Sequence, residues 1–151
     1  MSTAKSTSPL HAKLDGFWEL VASLKPDSTE ETWTEVAAYF APDSVAYLSG
    51  MTAPSSRGPQ EAVAGLKQLV TFWAITERRV VSRAVSEDGK TIVAEMNNNL
   101  LIFGEPVNDF IETEIVEFDE KDRIVSYRLH TDGKPILDIV ARKMAEMPAS
   151  A

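Results

Sequence analysis

The sequence predicts an α+β fold: a cone-shaped, curved antiparallel sheet wrapped around three N-terminal helices, closed by a short C-terminal helix. Three observations predict it. Apolar residues recur at helical spacing through the first half of the chain, long β-rich runs fill the second half, and Gly, Pro and Asp separate those runs at hairpin spacing. A sheet that curves around helices leaves a conical cavity open at one end, and such cavities are the default ligand sites.

Residues 1–9 are rich in Ser and Thr and read as a disordered tail, with a single domain over residues 10–147. Leu14, Phe17, Trp18, Val21 and Leu24 give the first helix its apolar stripe, and Lys25-Pro26-Asp27 ends it, because proline lacks a donor and constrains its predecessor. Ser28 or Thr29 caps a second helix, with Glu30 and Glu31 in its first turn and Trp33, Val36, Ala37 and Phe40 on one face. Pro42-Asp43 breaks it, and Ser44 to Gly50 reads as a short strand. After a small-residue loop from Met51 to Arg57, Gly58-Pro59 opens a third helix whose stripe is Val63, Leu66, Leu69, Val70 and Trp73. Beyond Pro135, Ile136, Ile139, Val140, Met144 and Met147 suit a C-terminal amphipathic helix that caps the fold or covers a partner subunit.

Between them lies a four-strand meander from Glu77 to Asp132, turning at Asp88-Gly89, Gly104-Glu105-Pro106 and Asp119 to Asp122. Alternation along strands assigns each residue to one face once the register is set. The most even pairing opposes Val81 to Met96, Arg79 to Asn98, Asn98 to Glu112, Met96 to Glu114, and Glu114 to Tyr127. It gathers Ile92, Ala94, Met96, Leu100, Ile102, Phe110, Val116, Phe118 and Leu129 on one face, predicted to turn inward. Arg79, Asn98, Glu112, Glu114 and Tyr127 share that face. A slip of one residue sends the carboxylates to water and brings His130 inside instead.

Composition excludes several classes. The net charge of −8 argues against nucleic acid and against an anionic membrane surface, and no apolar run approaches a membrane span. The first residues lack the apolar core of a secretory signal, so a cytoplasmic location is the default expectation. With no cysteine, and with His11 and His130 lacking ligand spacing, no metal is expected; without a glycine-rich phosphate loop, no cofactor is expected either.

Paired carboxylates on an apolar wall are the chemical signal. Desolvation raises a carboxylate pKa, and two on one face can divide into acid and base. Glu112 and Glu114 are therefore the catalytic candidates, with Asn98 and Arg79 orienting a ligand and Tyr127 donating to a developing oxyanion. A plain ion pair between Glu112 and Arg79 is the structural alternative. Trp33, Phe40, Leu48, Met51, Trp73, Met96, Phe110 and Leu129 are the candidate pocket lining, with core packing the competing role for the tryptophans.

The segments Tyr39-Phe40-Ala41-Pro42-Asp43, Arg57-Gly58-Pro59-Gln60-Glu61-Ala62-Val63 and Phe118 to Ile124 followed by Tyr127-Arg128 resemble the nuclear-transport-factor-2-like superfamily, in its SnoaL-like polyketide cyclase and ketosteroid isomerase branch. The similarity runs from about Leu10 to Val140. The resemblance implies a homodimer through the outer sheet face, and a hydrophobic small molecule in the cone. The isomerase base would fall near Leu48; the epoxide hydrolase Arg-x-Asp pair falls on Met96 and Asn98, and its further Asp on Leu129. Neither catalytic set is kept. The expectation is a cofactor-free acid–base enzyme (isomerase, cyclase or dehydratase) for a bulky polycyclic or terpenoid-like compound of secondary metabolism. The alternative is a non-catalytic carrier or protein-docking module of the same fold.

Overall fold

A computed structural model describes residues 8–51 and 53–148; most of the predicted N-terminal tail lies outside them. Helix α1 spans Pro9–Ser23, one residue longer at its start than the periodicity suggests, because Pro9 takes the first helical position and the Ser8 hydroxyl accepts from the Leu10 N–H. Helix α2 spans Glu30–Ala38 and is capped by Thr29, whose hydroxyl accepts from the Thr32 N–H. Helix α3 spans Gly58–Leu69 and helix α4 spans Lys134–Glu146.

The strands are β1 (Phe40–Ser49), β2 (Ser56–Arg57), β3 (Trp73–Val85), β4 (Thr91–Ile102), β5 (Glu105–Phe118) and β6 (Ile124–Thr131). They form one six-stranded sheet in the order β2-β1-β6-β5-β4-β3. The meander is antiparallel as predicted, whereas β1 joins it parallel to β6, so the sheet is mixed. Two elements begin earlier than expected. Phe40 leaves the α2 face to start β1, with Pro42-Asp43 absorbed in the register shift between Phe40 and Val45. Trp73 leaves the α3 stripe to start β3, where it pairs with Ile102 after Thr71 and Phe72 turn the chain out of the helix.

The inner face carries two apolar clusters. The larger joins Leu14, Phe17 and Trp18 of α1, Trp33 and Val36 of α2, and Ile92, Met96, Val116, Phe118, Ile124 and Tyr127 of the sheet. The smaller joins Leu100, Ile102, Val107 and Phe110 to Ile136, with Ile139 and Val140 of α4 packed on it. Trp73 touches both. Met144 and Met147, expected on the α4 stripe, are instead exposed. Where α4 begins, the chain passes the end of β1 so closely that a Cβ on Gly50 or Gly133 would collide with backbone. Arg142 pairs with both oxygens of Glu105 and ties α4 to the β4–β5 hairpin.

Candidate active site

Along the inner face a polar band separates the two clusters. On β4, Asn98 lies between Met96 and Leu100; on β5, Glu112 and Glu114 lie between Phe110 and Val116. Asn98, Glu112 and Glu114 are all buried. The pairings differ in detail from the even register: Met96 opposes Glu112, Asn98 opposes Phe110, and Glu114 opposes Leu129. Each differs from expectation by two residues, and an even displacement leaves every side chain on its face.

Arg79 is the correction. A register shift between Val80 and Ser82 inserts one extra residue in β3, so Arg78 opposes Asn98 and Arg79 opposes Asn97. Arg79 therefore points to the outer face. There its guanidinium donates to Asn97 Oδ1 (2.8 Å) and Asn99 Oδ1 (3.1 Å) and pairs with Glu77 (2.7 Å). Only its backbone N–H serves the band, donating to Asn98 Oδ1 at 3.3 Å. Val81, expected opposite Met96, is exposed at the shift.

Two hydrogen-bonded groups make up the band. Asn98 Nδ2 donates to Glu112 Oε2 at 2.9 Å, with the amide orientation fixed by the Arg79 N–H at its other end. Glu114 Oε2 accepts from Trp18 Nε1 at 2.7 Å and from the Tyr127 hydroxyl in a short bond, while Trp18 Nε1 also lies 3.0 Å from Tyr127 Oη. Trp18 thus reaches from α1 into the cone, because a buried indole N–H needs an acceptor and the sheet supplies a carboxylate. The Arg78 guanidinium lies 5.5 Å above the Trp18 ring.

Electrostatics set the two carboxylates apart. Burial, then the charge of Glu114, pushes the Glu112 carboxyl up to about 8, against smaller lowering by Arg78 and by the Asn98 hydrogen bond. Burial also raises Glu114, opposed by the hydrogen bond from Tyr127, the charge of Arg78 and the bond from Trp18. The Tyr127 phenol is held well above its usual value by burial and by the neighbouring Glu114 charge. Its proton is committed to Glu114. With its carboxyl pushed up to about 8, Glu112 keeps its proton at neutral pH, while the bonds from Tyr127 and Trp18 and the charge of Arg78 work against the burial that raises Glu114.

The remaining candidates are dispersed. Trp33, Phe40, Met96 and Leu129 belong to the larger cluster, Phe110 and Met51 to the smaller, and Leu48 is half-buried on β1 opposite Leu129. Lys67 covers the Trp33 ring at 5.5 Å, which makes that tryptophan a packing residue of the α2–α3 contact. His130 is exposed on the outer face, 6.4 Å from the Tyr47 ring, in an open cleft of about 470 Å³ that also holds Asp109, Ile111 and Asp132. A second cleft, of about 220 Å³, lies over Arg83, Val93 and Glu95; neither is lined by Glu112 or Glu114. Among the described residues no group of three His, Asp or Glu side chains is arranged to hold a metal, and no helix is long and apolar enough to cross a membrane.

Sequence reasoning missed Trp18 and Arg78. Trp18 was visible as a helix-stripe residue whose N–H had to find a partner. Arg78 carried no signal, because only the β3 register shift turns it inward.

No family model and no curated protein matches the chain. Solved structures do. An LEH-like epoxide hydrolase from M. tuberculosis is 18% identical with a TM-score of 0.63, covering 99% of this chain and 100% of its own. A steroid delta-isomerase from Pseudomonas aeruginosa is 17% identical with a TM-score of 0.58, covering 95% and 99%. An NTF2-like protein of unknown function from Burkholderia pseudomallei is 18% identical with a TM-score of 0.67, covering 89% and 98%. Likeness at this identity speaks for architecture: the chain has the nuclear-transport-factor-2-like fold.

Proposed function

We propose that this protein is a cofactor-free acid–base enzyme of the cytoplasm, acting on a bulky, largely apolar polycyclic or terpenoid-like compound of secondary metabolism. The observation that carries this reading is the pair of buried carboxylates, two residues apart on β5, at the seam between two apolar clusters. A fold gains nothing in stability by burying two carboxylates side by side, and such pairs concentrate where acid and base are needed. Glu114 is the base, held by Trp18 and Tyr127 so that its charge is tolerated away from water. Glu112 is the acid, protonated at neutral pH and oriented by Asn98. Glu114 withdraws a proton from the substrate while Glu112 delivers one to a leaving or accepting atom, which covers isomerisation, dehydration and ring closure. That an epoxide hydrolase, a steroid isomerase and a cyclase-like enzyme are built on this fold supports the reading by analogy.

One observation favours a second reading, a non-catalytic carrier: Trp18 and Tyr127 already occupy Oε2 of Glu114. The two readings part on turnover. The purified protein is incubated with a small-molecule extract of its source, and mass spectrometry follows what is retained and converted. Conversion to an isomer or dehydrated product that disappears in Glu112→Gln and Glu114→Gln supports the enzyme. Retention without conversion leaves the carrier.

The protein is further proposed to form a homodimer through the outer sheet face. Tyr47, Val93 and Ile111 are exposed there, beside the pairs Arg79–Glu77 and Arg128–Glu117. Both charge signs on one apolar face suit a two-fold contact with a second copy.

A further inference from the structure

Two arginines of β3 meet helix α1. Arg78 opposes Asn98 and Arg83 opposes Ala94, so both lie on the inner face. Residues five apart on a regular strand face opposite ways; the register shift between Val80 and Ser82 brings these two to one side. Arg83 takes Asp15 of α1 at 2.6 Å. Arg78 takes no carboxylate: among the described residues it is in no ion pair, and its Nε is buried without an acceptor. Its guanidinium lies instead 5.5 Å above the ring of Trp18, three residues along α1 from Asp15.

A buried N–H without a partner is costly, so hydrogen bonding does not account for a guanidinium at this place. Packing does not account for it either, because an apolar side chain would cover the indole without burying a donor. What is left is charge on a flat face, which the electron-rich face of an indole attracts. The same indole donates to Glu114 Oε2 at 2.7 Å and lies 3.0 Å from Tyr127 Oη. We propose that Arg78 is a positioning residue of the carboxylate pair, acting through Trp18: its cation holds the indole with Nε1–H on Glu114 and sets a positive charge beside both carboxylates without binding either. This deepens the acid–base reading, because it takes Glu112 and Glu114 as the reacting groups. A cation in a salt bridge would occupy the oxygens on which a proton must come and go; one seated on Trp18 leaves them free. Its charge lowers Glu112, Glu114 and Tyr127 alike, in each case against a larger effect of burial. The other groups acting on Glu112 are Glu114 of its own strand and the Asn98 amide of β4, while Tyr127 of β6 and Trp18 of α1 act on Glu114.

The test needs no substrate. Protein labelled with ¹⁵N-tryptophan and with ¹³C at the glutamate carboxyls is followed by NMR, with Trp18→Phe and Glu112→Gln assigning the two signals. Arg78→Met removes the charge and keeps the length; Arg78→Lys keeps the charge. In Arg78→Met the Trp18 Nε1–H should exchange with solvent about five- to tenfold faster, as loss of a partly desolvated cation–π contact implies. The Glu112 titration should move upward from its wild-type midpoint of about 8. Arg78→Lys should restore that midpoint and part of the protection. An unmoved Glu112 midpoint in Arg78→Met reduces Arg78 to packing and overturns the proposal, as does Arg78→Lys behaving like Arg78→Met. Unchanged exchange in Arg78→Met overturns the route through Trp18. If Arg78→Met does not fold, the wild-type Nε–H of Arg78 decides: above an indole it resonates upfield of the other arginines, and an ordinary shift overturns the contact. The reading of Glu112 as the acid fails on a different signal, the wild-type midpoint itself, whereas Arg78 is judged on the change from it.

Discussion

Glu112 makes the stability of this protein depend on pH in a direction opposite to that of most carboxylates. Its pKa rises from 4.5 to about 8 on folding, chiefly through burial. Between those values the native state holds a proton that the unfolded chain has released. Stability from this group is therefore full below pH 4.5 and is lost as pH rises through about 8. A rise from 4.5 to about 8 corresponds to about 5 kcal/mol, of which about 3–4 kcal/mol falls between pH 5 and pH 8.5. Glu112→Gln keeps the shape and an amide for Asn98 while removing the titration. Urea unfolding of wild type and variant across pH 5 to 9 isolates the titration of Glu112 together with its coupling to Glu114, because the groups not coupled to Glu112 cancel in the difference. The variant should gain on the wild type by about 3–4 kcal/mol as pH rises across that range. A difference that stays flat would refute a buried, protonated Glu112, and with it the assignment of Glu112 as the acid.

Other expectations follow from the same contacts. If Glu112 is the acid, turnover of any identified substrate should fall as pH rises through about 8, and a pH–rate profile checks it. Trp18→Phe removes the donor shared by Glu114 and Tyr127 and should cost about 2 kcal/mol; a double-mutant cycle with Glu114→Gln should show clear coupling in urea unfolding. Gly133→Ala forces a Cβ onto the Gly50 carbonyl and should cost about 2 kcal/mol, read as a lower Tm, although the backbone there suits any residue. Ile111→Glu on the outer face should give a monomer in sedimentation where wild type gives a dimer, with its pH-dependent stability otherwise kept.

What the sequence made legible was periodicity. The α1 stripe, the α2 caps and the alternation of β4 and β5 are local patterns, and each lies where the pattern puts it. What it hid were contacts decided by a neighbour. Nothing local says that β1 lies beside β6, because that pairing closes most of the chain into one loop. Nothing in Thr71-Phe72-Trp73 says that the helix has ended, because the β4 partner that makes Trp73 a strand residue lies nearly thirty residues on.

The carboxylates reach the interior through compensating irregularities. The β4–β5 hairpin closes through Phe103-Gly104, both at positive φ, and pairs Ile102 with Glu105, tighter than a Gly-Glu-Pro turn allows. Carried straight along, that register would oppose Leu100 to Val107 and then Asn98 to Asp109, sending Glu112 and Glu114 outward. The shift between Asn98 and Leu100, with Asp109 at φ 56°, adds one residue to β5 and restores even-numbered residues to the inner face. Val107 before it and Phe110 after it are both buried, as the change of parity requires. The β3 shift does the reverse for the arginines, turning Arg78 in and Arg79 out. A bulge costs paired backbone, and three register shifts, two in β3–β4 and one in β4–β5, border this polar band, while the β4–β5 pairing from Asn98–Phe110 to Thr91–Glu117 runs regularly. Irregular backbone placed beside buried polar groups is how a sheet aims side chains that packing alone would turn away, and it supports the proposed site at Glu112 and Glu114 over the exposed His130.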